Sequence, residues 1–382
     1  VLISFGIVSA PPEPRIESLT GLRWWAAFAV FFYHMANLAP LPINEVLRYG
    51  NYGVMFFFVL SGFVLTWSAQ PGVAVSTFYW RRFARIYPAH FVALLLAVPV
   101  FYSFTPDAAE WWVKPVDLGI LLLSVLLIQG WWREPTILFS GNPAAWTLTV
   151  EAFFYAMHPA ISRVLRLVGS RGALIVAAAI VVGSFGWRFG AVLIPDVAAA
   201  VPLPIARLGE FALGMCLAHA MRHGWRPRLS VWIPMIFGAL VLVIATVDSV
   251  TEWMGPVRTV IRDSATEWIL VFCAALIVAV AARDLAGGRS LLRHPWLVRL
   301  GEASYAFYLV HATIVFAVLG WVGPQPGGWS ALVWYPPLFI GALLVAFALH
   351  LGVEKPLERR MRRGWDARLA ARAARAAEQR EA

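Results

Sequence analysis

Arg23 and His34 stand eleven residues apart in "GLRWWAAFAVFFYHM", residues 21–35. Eleven residues make about three turns of α-helix and about 16.5 Å of rise, so the two side chains point to nearly the same face. Their neighbours are apolar enough for a membrane span, where ionisable groups are costly and usually face a cavity or a partner. The pair reads as one polar stripe, with a guanidinium at the membrane boundary and an imidazole near mid-membrane. A second motif, "YWRRFARIYP" at residues 79–88, sets Arg82 and Arg85 one helical turn apart, where two guanidiniums can converge on one phosphate. On composition alone, the retention of basic residues on the cytoplasmic side is the better account of such a cluster. A third, "GNPAAWTLTVEAFFYAMHP" at residues 141–159, carries Glu151 inside an apolar run with Thr147 a turn before it. A buried carboxylate needs a basic or hydrogen-bonding partner. His34 is the expected one, because a carboxylate beside an imidazole fixes its tautomer and prepares it to take a hydroxyl proton.

Other polar positions carry less. Arg207 and Glu210 in "ARLGEFALG" are expected to pair with each other or with polar neighbours. Glu302, Ser304, Tyr305 and His311 in "LGEASYAFYLVHATI" make a second polar helix, with His311 read as packed rather than catalytic. Glu354 in "VEKPLERRMRR" is expected to be capped by a local arginine. Cys216 and Cys273 lie inside apolar runs, with no disulfide framework and no metal-ligand spacing.

The elements that must hold these residues follow from composition. Of 382 residues, 60% are hydrophobic and 14% charged, and the mean hydropathy is +0.71. Soluble domains are about 45–50% apolar and about 25% charged, so the expectation is an all-α, polytopic membrane protein. Apolar segments fall at about 22–39, 52–69, 86–105, 117–132, 144–166, 172–192, 200–220, 231–248, 264–282, 302–322 and 331–351. Arginine clusters lie at Arg81–Arg85, Arg163–Arg171, Arg222–Arg228, Arg283–Arg299 and beyond Lys355, and belong on one side. Alternation through all eleven segments breaks that rule, and it is restored if 117–132 only dips into the membrane or lies along its surface. The expectation is ten crossing helices plus one re-entrant or interfacial segment, with both termini cytoplasmic. Residues 1–19 then form a cytoplasmic segment, 20–356 the membrane domain and 357–382 a basic tail resting on lipid headgroups. The net charge of +10 suits the anionic cytoplasmic leaflet and not nucleic acid. The opening "VLISFGIVSAPPEP", which starts on Val1, lacks the charged n-region of a signal peptide.

Together these motifs resemble the acyltransferase-3 family of membrane-bound O-acyltransferases. The resemblance rests on "LTGLRWWAAFAVFFYH", "GVMFFFVLSGFVL" at 53–65, "RRFARIYP", "WTLTVEAFFY" at 146–155, "LGEASYAFYLVH" and "VEKP", in that order over nearly the whole chain. It implies ten core helices in a bacterial cell membrane. It also implies transfer of an acyl group, usually acetyl, from cytoplasmic acyl-coenzyme A to a hydroxyl of a glycan, a lipid-linked sugar or a secondary metabolite such as a macrolide. The essential pair falls on Arg23 and His34, the coenzyme-contacting arginines on Arg82 and Arg85, and the acid on Glu151. Thr147 stands where the family more often has serine, and Trp146 and Tyr305 are supporting residues. Acyl-coenzyme A is a co-substrate, and no permanently bound cofactor or metal is implied. The compact form, without a fused soluble domain, tilts the acceptor toward small molecules such as antibiotics. The mechanism expected is His34 as general base, Glu151 as its orienter, and the three arginines as phosphate anchors. A transporter or flippase for a lipid-linked glycan, with the stripe lining a conduit, and an inert scaffold are the competing readings.

Overall fold

The computed structural model describes residues 13–247 and 252–381. Most of the expected N-terminal segment, Val1 included, therefore lies outside the described residues, as do residue 248 of one expected span and the last residue of the tail. The chain is almost wholly helical. Its extended pairing among the described residues is two residues long, Tyr102–Ser103 parallel to Lys114–Pro115. The longer helices are numbered here as α1 (Glu17–Met35), α2 (Gly53–Trp67), α3 (Val75–Phe101), α4 (Leu118–Val125), α5 (Trp146–Leu165) and α6 (Ser170–Leu193). They continue as α7 (Leu208–Arg222), α8 (Trp232–Thr246), α9 (Ala265–Leu285), α10 (Pro295–Val322), α11 (Tyr335–Leu349) and α12 (Lys355–Glu381).

Among the described residues, six helical stretches are long and apolar enough to cross a membrane: Asn44–Trp67, Val75–Phe101, Ser170–Leu193, Ala265–Leu285, Pro295–Val322 and Trp329–Gln379. The protein is a multi-pass membrane protein. Four other expected spans are also helical, as α1, α5, α7 and α8, and are shorter or more polar. Ile175, Val182, Leu240 and Leu344 are more than half exposed, as befits side chains that face lipid.

The boundaries differ from the apolar runs where helices leave the hydrocarbon. α3 begins at Val75, eleven residues before the expected start, so Arg82 and Arg85 ride on its early turns and not in a loop. α10 begins at Pro295, with Pro at its first position and the His294 ring accepting from the Trp296 N–H. α7 begins only at Leu208, because Pro202 and Pro204 break the run into short turns. The segment 117–132 yields only α4, eight residues capped by Asp117, whose Oδ1 accepts from the Ile120 N–H at 3.0 Å. That is about 12 Å of helix, well short of the roughly 30 Å hydrocarbon core. At the other end, α11 passes through a π-turn, His350–Glu354, straight into α12.

Two apolar bodies form. One gathers α2, α7, α9 and part of α5, and the other gathers α1, α3, α10 and α11. Backbone contact at glycine sets how closely they pack. A Cβ at Gly62 of α2 would strike the Phe211 carbonyl of α7, and one at Gly214 would strike the Val59 carbonyl. Gly301 of α10 meets the Thr20 carbonyl of α1 in the same way, and Gly21 meets that of Leu292. Such small-residue crossings let transmembrane helices approach backbone to backbone. Gly214→Val is expected to destabilise the protein by about 1–3 kcal/mol or more through overpacking. Gly186→Ala, which meets open space on α6, is expected to be neutral, and thermal unfolding in one detergent compares the two.

Candidate active site

α1 and α10 run parallel, and the contacts at Gly21 and Gly301 bring Arg23 of α1 beside Ser304, Tyr305 and Tyr308 of α10. These four side chains, with Thr147 and Glu151 of α5 and the rings of Phe57 and Phe58, line one cavity of about 40 Å³. One water needs roughly 10–15 Å³ on this measure, so the space holds a few waters and not an acyl chain beside an alcohol.

The start of α5 is pinned to α10 by Asn142. Its Nδ2 donates to the Leu309 carbonyl at 2.7 Å, and its Oδ1 accepts from the Ala144 N–H at 3.0 Å. The Ala144 carbonyl in turn accepts from Thr147 Oγ1 at 2.9 Å and from the Tyr308 hydroxyl at 3.3 Å. Thr147 is thus engaged with backbone at the cavity wall. Trp146 packs edge-on against Phe58, with ring centres 6.3 Å apart. The Tyr305 hydroxyl donates to the Ile86 carbonyl at 2.9 Å, tying α10 to α3 one residue past Arg85.

The charged groups separate into two kinds. Arg85 is fully engaged: it pairs with Glu354 and, at 3.2 Å, with Glu358. Glu354 is wholly buried and also accepts from His350 Nδ1 at 2.9 Å. Glu358 accepts from Arg362 at 2.9 Å. The arginine that answers Glu354 is therefore Arg85, far away in sequence, and not the local one expected. Arg23 and Arg82 differ, since each has a buried Nε with no hydrogen-bond partner among the described residues. Arg23 lies over the Phe57 ring at 6.0 Å and Arg82 over that of Phe78 at 5.9 Å. Arg82 and Arg85, expected to converge on one anion, are thus in different states, Arg82 with an unpartnered Nε and Arg85 ion-paired.

Glu151 accepts from the Tyr155 hydroxyl, one turn on, at 2.8 Å, and Arg23, Arg82 and Arg85 are the cations whose charge it feels. His34 is elsewhere. Its ring centre is 5.1 Å from that of His311 and 6.5 Å from Phe316, and its Nδ1 is buried without a partner. The expected contact between Glu151 and His34 is not formed. The pairing fails because Glu151 and His34 lie on different helices, and the sequence of neither helix contains the angle at which α5 meets α1. Arg207 and Glu210 do pair, at 2.6 Å.

Comparison with known proteins decides the family. The acyltransferase-3 model, described as an acyltransferase domain, matches residues 16–351. The chain belongs to this family. It is 36% identical to the acyltransferase MdmB of Streptomyces mycarofaciens over 328 residues, 80% of each chain. Nodulation protein 10 of Rhizobium leguminosarum bv. viciae is 28% identical over 332 residues, 79% of this chain and 84% of that one. The O-acetyltransferase OatA of Staphylococcus aureus is 22% identical over 331 residues, 80% of this chain and 52% of its own length. No solved structure matches. The protein is an O-acyltransferase.

Several residues of this acyltransferase site escaped the sequence reading. Tyr308 is one, although it recurs with Ser304 and His311, both already read as part of a polar helix, at intervals of four and three, the spacing of one helical face. Tyr155 follows Glu151 by four residues on the same logic. Asn142 carried no such sign, since its role depends on a carbonyl of α10. The buried ion pair yields a test. Arg85→Ala leaves Glu354 buried without its cation and is expected to cost about 3–5 kcal/mol, whereas Arg85→Met with Glu354→Leu recovers most of it. Denaturant or thermal melts of the singles and the double measure the coupling.

Proposed function

We propose that this O-acyltransferase takes an acetyl or similar acyl group from cytoplasmic acyl-coenzyme A and delivers it to a hydroxyl of a glycan, lipid-linked sugar or macrolide. The observation that carries the donor is the pair of buried guanidiniums, Arg23 and Arg82, whose Nε–H groups have no acceptor. A buried donor left unpaired is costly, and the phosphates of a coenzyme would satisfy both with charge-assisted bonds. The acceptor reading draws on relatives, one of which, in Listeria monocytogenes, is named a peptidoglycan O-acetyltransferase. On this reading ten helices cross the cell membrane, α1 to α3 and α5 to α11, with α4 at the interface and both termini cytoplasmic.

The reaction asks for placement and one proton transfer. His34 takes the proton of the acceptor hydroxyl as its oxygen bonds to the thioester carbonyl carbon. The carbon–sulfur bond then breaks, and the departing thiolate takes that proton back from the imidazolium. Fixing two substrates in line is worth about 7–11 kcal/mol, and a general base about 10²–10⁴-fold. The stripe from Arg23 to His34, about 16.5 Å along α1, matches an extended pantetheine arm with its phosphates at one end and its thioester at the other. Glu151 balances the arginine cluster in this scheme and does not orient the base.

Purified protein in lipid vesicles with radiolabelled acetyl-coenzyme A and a hydroxylated acceptor tests the reading. His34→Ala is expected to lower transfer by about 10²-fold or more while the protein inserts and folds. Arg82→Ala is expected to raise KM for the coenzyme about tenfold with kcat little changed, the mark of lost ground-state binding. Translocation of a lipid-linked glycan with no label transferred would favour the conduit instead.

A further inference from the structure

We infer that His311 is the positioning residue for His34: it accepts the Nδ1–H of His34 and so leaves His34 Nε2 as the nitrogen that takes the acceptor's proton. This rests on the acyl-transfer reading above and supplies the partner that Glu151 does not provide.

His311 is fully buried on α10, and its Nδ1 lies 3.1 Å from the Phe307 carbonyl oxygen. A carbonyl can only accept, so neutral His311 carries its proton on Nδ1 and presents Nε2 as a bare lone pair. That Nε2 is buried with no partner among the described residues, as is Nδ1 of His34. The His311 ring is fixed by stacking on Phe307, at 5.6 Å between centres and 10° between planes. The two imidazole centres are 5.1 Å apart. A hydrogen bond of about 3 Å between ring nitrogens, each about 1.1 Å from its ring centre, gives a spacing of about 5 Å. The observed spacing therefore admits a hydrogen bond once the His34 ring turns its Nδ1 toward His311 Nε2.

The other polar groups nearby are committed. The Tyr308 hydroxyl donates to the Ala144 carbonyl, and Asn37 Nδ2 donates to the backbone carbonyl of His34 at 2.9 Å, not to its ring. Each unsatisfied nitrogen thus has its complement in the other ring. The chain Phe307 carbonyl, His311 and His34 sets the tautomer of the base through backbone on α10, without a buried carboxylate. When His34 takes the acceptor proton, its Nδ1–H continues to donate to His311, so the imidazolium is held while the thiolate leaves.

The test separates positioning from packing. Nitrogen-15 NMR of His-labelled protein reads the tautomer directly: wild type is expected to show His34 protonated on Nδ1, and His311→Phe to shift it toward the Nε2–H form. His311→Phe, which keeps the stacking on Phe307, is expected to lower kcat by about 10²-fold with KM for both substrates within about threefold. His311→Gln, whose amide both donates and accepts, is expected to recover at least about tenfold of that loss. A wild-type His34 protonated on Nε2 overturns the inference even where a variant fails to fold. So does His311→Phe with unchanged kcat, or equal loss in the Phe and Gln variants. Transfer surviving in His34→Ala removes His34 as the base and this inference with it, absence of any transfer by the wild type overturns the acyl-transfer reading instead, and a dead His34→Ala beside a fully active His311→Phe sinks this inference alone.

Discussion

A charge taken out of water must be answered by another, and that demand organises this protein. Arg23, Arg82 and Arg85 come from α1 and α3, Glu151 from α5, and Glu354 and Glu358 from the turn and helix that end the chain. Apart from Arg362 beside Glu358 on α12, the two signs come from different helices. An isolated guanidinium or carboxylate in a low-dielectric interior costs several kcal/mol even after relaxation. The helices that carry them are therefore held to one arrangement, with the polar seam between two apolar bodies.

The same demand explains why the tail is part of the body at its start. Glu354 and Glu358 meet Arg85, and the contact continues along α12: Arg81 reaches Asp366 at 3.6 Å, Trp80 donates to the Met361 carbonyl at 3.0 Å, and Trp80 stacks on Trp365 at 5.3 Å. The first turns of α12 are clamped to α3 beside the arginines, while the later turns, with Arg368, Arg372 and Arg375 exposed, are turned outward. Acidic residues thus surround Arg85, while the buried Nε atoms of Arg23, Arg81 and Arg82 have no hydrogen-bond partner among the described residues.

Much of the site was legible beforehand. Arg23 and His34 share a face because eleven residues are close to a whole number of turns, and no neighbour can alter that. Arg207 and Glu210 pair because one turn separates them. Thr147, Glu151 and Tyr305 were found because polar side chains in apolar runs stand out, and all three line the cavity with Arg23. The pairing of Glu151 with His34, and of Glu354 with a nearby arginine, could not be read in the same way. Both depend on which helices touch and at what angle.

Periodicity and hydropathy established an all-helical membrane chain and marked out the polar side chains within its apolar runs, because each of these is a property of one helix or one loop. Packing alone chose the distant partners: Arg85 for Glu354, the arginine cluster for Glu151, and the ring of His311 beside His34. The last of these depends on the glycine-to-carbonyl contacts at Gly21 and Gly301, which set how closely α1 approaches the start of α10 and the turn before it. Rotation between two helices is a relation between distant stretches of chain, and the period of neither one contains it.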